Sequence, residues 1–250
     1  MAHGAPLLAL NPVKGGQLLD WACCFPRPKA ILVISAHWEA TPLQIGILTT
    51  QPLIYDFYGF PPELYALKYP APGAPELAER VKTLCQAEFI ATQDTDRCWD
   101  HGVWVPLLRM YPEADIPLLQ ISLPSTESAA DLFDLGLYLS PLRKEGVLIV
   151  ASGNLTHNLR QIDFSEQPQT PEWAATFDSW CEHVLSAWKP DTLIDYRNTA
   201  PQLAINHPTL EHFLPLLMAI GAASIQRPTV SFPITGFEFG SLSRRCVQFD

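Results

Sequence analysis

Two short runs of branched apolar residues constrain this chain more than any other feature: Lys29-Ala30-Ile31-Leu32-Val33-Ile34-Ser35-Ala36 and Gly146-Val147-Leu148-Ile149-Val150-Ala151. Neither alternates apolar with polar, so each predicts a strand covered on both faces, as in a sheet held between two layers of helix. Each also stops abruptly, the first at His37-Trp38-Glu39 and the second at Ser152-Gly153-Asn154. Ligands of such sheets collect outside the strand ends. The polar residues therefore stand where chemistry is expected.

The rest of the chain supplies the partners that these strands need. Thr41 to Thr49 and Ile116 to Leu123 read as further strands, with a short one over Glu88 to Ala91. Glu76 to Ala87, with Pro75 suited to its first turn, predicts a helix, as do Val103 to Met110 and Pro171 to Trp188. Ser128 to Lys144 carries Leu132, Leu135, Leu139 and Leu142 at helical spacing, with Pro141 predicted to split it. Pro208 to Ala219 predicts another helix, with His212 on or near its first turns. Ile54 to Gly73, rich in Tyr, Phe, Pro and Gly, fits neither period and reads as a long shaped loop. Pro228 to Pro233 and Leu242 to Phe249 are β-prone. Strand, loop and helix recur, so the expectation is a three-layer α/β fold with a central mostly parallel or mixed sheet, formed as one domain over residues 1–250.

Composition narrows the partners. The net charge of −10, with 26 acidic against 16 basic residues, argues against nucleic acid, which needs a dense basic footprint. No apolar stretch approaches the roughly 18 residues that cross lipid, and the start lacks a secretory signal, so a cytoplasmic protein with no membrane partner is expected. The 6 cysteines are scattered without a CxxC, which predicts reduced thiols rather than a disulfide framework or thiolate zinc site. No GxSxG, GxxxxGK[ST] or GxGxxG pattern occurs, so nucleophile-elbow, P-loop and dinucleotide chemistry have no local support.

That leaves the 7 histidines. Neutral imidazole binds zinc or iron while keeping the site's charge positive, and it moves protons near neutral pH. None of the spacings matches HExxH, so a site must be assembled by the fold. His37 and His157 follow buried strands and are the first candidates for ligand or catalytic use, each set against a merely hydrogen-bonded histidine at a sheet end. His101 sits in Asp100-His101-Gly102, where Asp100 either orients an imidazole or caps the next helix. His212 follows Glu211, and either side chain is a metal ligand or simply solvated. By residue type alone His3 reads as a frayed terminal residue. His183, inside a helix, reads as surface.

Taken together and in order, these segments resemble a known family. They are His3-Gly4-Ala5-Pro6, Ser35-Ala36-His37-Trp38, Asp56-Phe57-Tyr58-Gly59-Phe60-Pro61, Tyr69-Pro70-Ala71-Pro72-Gly73 and Asp100-His101-Gly102-Val103-Trp104. Ser152-Gly153-Asn154-Leu155-Thr156-His157-Asn158 and Pro208-Thr209-Leu210-Glu211-His212-Phe213 complete the set. The chain looks like an extradiol aromatic ring-opening dioxygenase of the 4,5-DOPA dioxygenase type, among the class III extradiol enzymes. The resemblance implies one divalent metal ion per chain, Fe(II) for activity and Zn(II) as an ion that the same ligands accept. It implies His3, His37 and His212 as metal ligands, overruling the frayed reading of His3, with His157 as catalytic base or additional ligand and His101 as a second active-site histidine. A catechol and O2 are the implied partners, in a monomer or small homo-oligomer. Tyr55, Phe57, Tyr58 and Trp104 are candidates for the aromatic wall of the substrate site. The rival expectation is a hydrolase or lyase in which zinc activates water and His157 is the base.

Overall fold

The structure, a computed structural model, describes residues 1–50, 52–124 and 128–250. Five strands form the central sheet: β1 (Ala30–Glu39), β2 (Leu43–Ile45), β3 (Thr92–Asp94), β4 (Leu118–Leu123) and β5 (Val147–Ser152). Their order is β3-β2-β4-β1-β5. β1 runs parallel to β4 and β5, and β2 is parallel to β3 but antiparallel to β4, so the sheet is mixed. The helices are α1 (Pro12–Ala22), α2 (Pro62–Tyr65), α3 (Pro75–Ala87), α4 (His101–Met110), α5 (Ala129–Leu139), α6 (Pro141–Lys144), α7 (Glu172–Ser186), α8 (Pro190–Ile194), α9 (Tyr196–Thr199), α10 (Leu203–Asn206) and α11 (Pro215–Ala223). Small antiparallel pairs close the chain: β6 (Val230–Ile234) with β9 (Cys246–Phe249), and β7 (Phe237–Glu238) with β8 (Leu242–Ser243).

The unbroken apolar run of β1 now has its reason. Successive side chains of a strand point to opposite faces, and here both faces are covered. Leu32 and Ile34 join the core under α3, α5, α7 and α11, through Val81, Leu135, Phe177 and Leu217. Ile31 and Val33 join a second core with Leu18 of α1 and Val103 and Leu107 of α4. The three-layer expectation holds. Among the described residues no helix is long and apolar enough to cross a membrane.

Several boundaries differ from the sequence reading. Glu88 to Ala91 is not a strand: Phe89 takes a left-handed φ of 59° at the end of α3, and the strand is the next segment, β3. Pro208 to Ala219 is not one helix. Residues 208–214 are turns, and the helix starts at Pro215, so His212 sits in the turn before α11 rather than within it. α1 went unread because Gly15 and Gly16 dilute its pattern; Asn11 starts it by accepting from the backbone of Val13 and Lys14. Pro141 splits its helix as predicted, into α5 and α6.

The N-terminus does not fray. The Met1 ammonium donates to the Ala151 carbonyl at 2.6 Å, Ala2 bridges Gly153 in parallel, and the His3 N–H donates to the Gly153 carbonyl at 3.2 Å. Met1 to His3 thus continue the sheet beside the end of β5. Gly4 then turns the chain at a φ of 65°, a conformation that suits glycine.

Candidate metal centre

The site forms where β1 and β5 end. Register between β1 and β4 slips between the pairs Ile34↔Ile121 and Glu39↔Leu123, so β1 carries extra residues in which His37 lies. Such bulges re-aim side chains next to functional sites. Ser152-Gly153-Asn154 serves as the hub. Ser152 hydroxyl lies 2.9 Å from His3 Nδ1, Gly153 pairs with the N-terminal segment, and the Asn154 N–H donates to the His212 carbonyl at 2.9 Å. A Cβ on Gly153 would stand 2.2 Å from that carbonyl, so only glycine lets the two segments approach. Three histidines distant in sequence converge as a result. Ring centroids are 4.9 Å apart for His3 and His37, 5.3 Å for His3 and His212, and 5.0 Å for His37 and His212.

Hydrogen bonds on the Nδ1 side of His3 and His212 leave the other ring nitrogen of each to face inward. Ser152 Oγ donates its one proton to the Gly102 carbonyl at 2.5 Å, so it accepts from His3 Nδ1–H. Glu211 Oε1, a carboxylate oxygen, accepts from His212 Nδ1–H at 2.8 Å. Asp56 Oδ2 lies on the Nδ1 side of His37, at 3.7 Å. The Nε2 atoms gather together: His3 Nε2 and His37 Nε2 are 3.2 Å apart, and His212 Nε2 is buried with no hydrogen-bond partner among the described residues. One ring nitrogen from each of the three lies within 4.8 Å of the others. A divalent cation satisfies three such lone pairs at metal–nitrogen distances of about 2.0–2.1 Å, and outer partners on each Nδ1 are how proteins orient histidine ligands. The donor set fits a metal.

His3, His37, His157 and His207 are held neutral at pH 7. Burial, then the charges of His37 and the other site histidines, hold His3 well below its usual range. Burial and the neighbouring His101 and His212 lower His37 to about 2, and burial with His212 and His207 lowers His157 to about 3. Burial likewise lowers His207 to about 4. Each group takes up its proton on unfolding, so metal-free protein loses stability as pH falls below about 6.5, the unfolded value, at up to about 1.4 kcal/mol per histidine for each unit. The urea midpoint of metal-free protein is expected to be clearly lower at pH 5.5 than at pH 7.5. Equal midpoints would show that the rings are not held neutral.

Some of the other candidate residues stand beside this trio and others do not. His101 begins α4, its centroid 4.0 Å from that of His37. Its Nδ1 lies 2.7 Å from Asp56 Oδ1, which also accepts from the His101 backbone N–H at 3.1 Å. Burial raises the Asp56 carboxyl, but the His101 bond and charge outweigh this and leave it below its usual value. The orienting residue is therefore Asp56, which the sequence reading passed over. Asp100 neither orients an imidazole nor caps α4 with its side chain. It is fully buried and accepts from Ser35 Oγ at 2.7 Å and Gln120 Nε2 at 2.5 Å, bracing β1 and β4 beneath the site. His157 stacks on His212 with centroids 3.4 Å apart, and its ligand atom groups with those of Glu211 and His212 rather than with the trio. Phe57 meets His101 edge-on at 5.6 Å. Behind it stand Tyr55, whose hydroxyl donates to the Leu67 carbonyl, and the buried Trp104, whose indole donates to the Ile54 carbonyl. Trp104 thus packs under the aromatic wall instead of lining it. Tyr58 is 92% exposed and, among the described residues, makes no ring contact with the histidines. His207 is buried against the Leu155 carbonyl, and His183 is exposed on α7.

Comparison with known proteins gives the class to which this fold and its histidine cluster belong, the aromatic ring-opening dioxygenases. Residues 15–240 match the family described as the catalytic LigB subunit of aromatic ring-opening dioxygenase, and the chain belongs to that family. It is an enzyme of the extradiol ring-cleaving type. It is similar to a 4,5-DOPA dioxygenase extradiol of Beta vulgaris, 43% identical over 229 residues that cover 89% of this chain and 85% of the relative. A protein of the same description from Escherichia coli (strain K12) is 40% identical over 256 residues, covering 99% of this chain and 92% of its own. The crystal structure of the uncharacterized protein JW3007 from Escherichia coli K12 superposes with a TM-score of 0.78 at 34% identity, over 94% of this chain and 91% of that one.

Proposed function

We propose that this enzyme opens the ring of a catechol, such as DOPA, beside its two hydroxyls, with O2 as co-substrate and a ferrous ion held by His3, His37 and His212. The observation that carries the reading is the convergence of three inward Nε2 atoms whose Nδ1 sides face Ser152, Asp56 and Glu211. The relatives named as DOPA dioxygenases support the substrate class. Bound iron would supply the electron exchange between catechol and O2 that a closed-shell zinc ion does not.

The chain's own groups supply the rest. His157, neutral and adjacent to His212, accepts a catechol hydroxyl proton at a ring nitrogen and returns it as the ring opens. His101 has its Nδ1 committed to Asp56, so Nε2 remains to orient the oxygen-bearing partner. Phe57 offers an apolar edge to the substrate ring. Overall, one ring C–C bond breaks and both oxygen atoms are incorporated, giving a muconic semialdehyde.

Protein reconstituted anaerobically with Fe(II), then given substituted catechols and air, is expected to consume O2 and catechol one for one and to turn yellow. Zinc-loaded protein is expected to do neither. Absence of catechol-dependent O2 uptake across the panel, or turnover of an ester or amide by the zinc form without O2, would overturn the assignment.

A further inference from the structure

The sheet releases β1 just where His37 stands. Among the described residues, β1 pairs with β5 as far as Ser35↔Ser152 and with β4 as far as Ile34↔Ile121, resuming at Glu39↔Leu123. Ala36, His37 and Trp38 stand in neither register. Both backbone polar groups of His37 are nevertheless satisfied, by side chains. Its N–H donates to Ser35 Oγ at 3.2 Å, and its carbonyl accepts from Arg97 Nη2 at 2.9 Å.

These two supports meet at one buried carboxylate. Ser35 Oγ donates to Asp100 Oδ1 at 2.7 Å, and Arg97 Nη2 lies 3.9 Å from Asp100 Oδ2, which Gln120 Nε2 holds at 2.5 Å. Ser35, Asp100 and Arg97 thus enclose the His37 peptide as a clamp. Its ring emerges against Gly102, where a Cβ would stand 3.0 Å from His37 Cδ2 and 2.5 Å from Ser35 Oγ.

Arg97 joins this clamp from another part of the sheet. Its carbonyl accepts from the Ile47 N–H at 3.1 Å, and its own N–H donates to Thr95 Oγ1 at 3.3 Å, so it is anchored on the segments that follow β2 and β3. Its guanidinium lies 5.3 Å from the ring centroid of Trp38, the neighbour of His37. Such an arginine has three possible roles: general support of the fold, contact with substrate, or aim of the ligand. Nε is buried and Nη2 is bonded to His37, so the fork points into the protein rather than toward an incoming molecule.

We propose that Arg97 is a positioning residue of the metal centre. It grips the His37 peptide in the bulge of β1 and so aims the imidazole toward His3 and His212. This rests on the reading of His3, His37 and His212 as metal ligands.

The test is the zinc affinity of folded protein, by chelator competition, for the parent, Arg97→Met and Arg97→Lys. Arg97→Met keeps an apolar stem and loses every donor, whereas lysine keeps a charge without the planar fork. Val81→Ala, in the core under α3, is the control for lowered stability alone. Urea denaturation and circular dichroism establish the folded state of each. Zinc binding is expected to weaken about 10- to 100-fold in Arg97→Met, less in Arg97→Lys, and to stay at the parent value in Val81→Ala. The visible absorption of bound Co(II) is expected to change in Arg97→Met. With saturating Fe(II), turnover should fall equally for catechols with and without a carboxylate. Parent affinity and an unchanged Co(II) spectrum in Arg97→Met, or in Arg97→Lys should the first not fold, would overturn the inference. So would an equal loss of affinity in Val81→Ala, or a turnover defect confined to carboxylate-bearing catechols. A parent chain that takes up no zinc would instead overturn the metal-centre reading beneath it.

Discussion

His37→Ala is expected to purify as a folded protein with background metal content. The side chain is 21% exposed and lies at the end of β1 rather than in either core, so its removal leaves the sheet intact. The site, however, falls from three inward nitrogens to two, which neither holds the ion nor places it against substrate. Turnover is expected to drop by on the order of 10³-fold or more, since the metal supplies the step that no side chain can. Elemental analysis after incubation with Fe(II) or Zn(II), beside circular dichroism, makes the measurement. Metal content equal to that of the parent would remove His37 from the ligand set.

Gly153→Ala tests the hub and is expected to damage stability and metal binding together. The added methyl would stand 2.2 Å from the His212 carbonyl oxygen and 3.1 Å from its carbon, both backbone atoms that cannot swing aside. The same residue bonds Met1 and His3, so a shift that relieves one contact disturbs the other ligand segment. A loss of about 2–3 kcal/mol in urea denaturation is expected, with weaker zinc binding in chelator competition. Gly16→Ala is the control. Nothing lies within 4 Å of its would-be Cβ in α1, and alanine there is expected to stabilise by about 0.5–1 kcal/mol. If Gly153→Ala matched the parent in both assays, the close approach at the hub would carry no weight.

How much was legible in the sequence depended on the range of the interaction. β1 and β5 could be read because a strand buried on both faces advertises itself in every residue. β2 lay inside the strand read over Thr41 to Thr49 but is only three residues long, and β3, fixed by pairing rather than by pattern, was read one segment too early. The slip that aims His37 depends on how β1 meets β4, so the residue was visible but its direction was not. His3 was the sharpest case. Residue type pointed to a frayed end, and only family resemblance placed it in the site, because the bonds that order it come from Ala151, Ser152 and Gly153 across the fold. The exchange of Asp100 for Asp56 has the same origin. Sequence adjacency favoured the neighbour of His101, whereas the long loop before α2 brings Asp56 onto its ring.

The three converging histidines stand at positions 3, 37 and 212, so no short contiguous fragment contains the cluster. A nascent chain offers two of these imidazoles early, but the third emerges only after most of the sheet and its covering helices have been synthesised. Even then it reaches its partners only when β5 has docked beside β1, since Ser152-Gly153-Asn154 aligns both ends. Any ion that this trio binds is thereby acquired only on completion of the fold, and a half-built polypeptide leaving the ribosome has no complete three-histidine cradle.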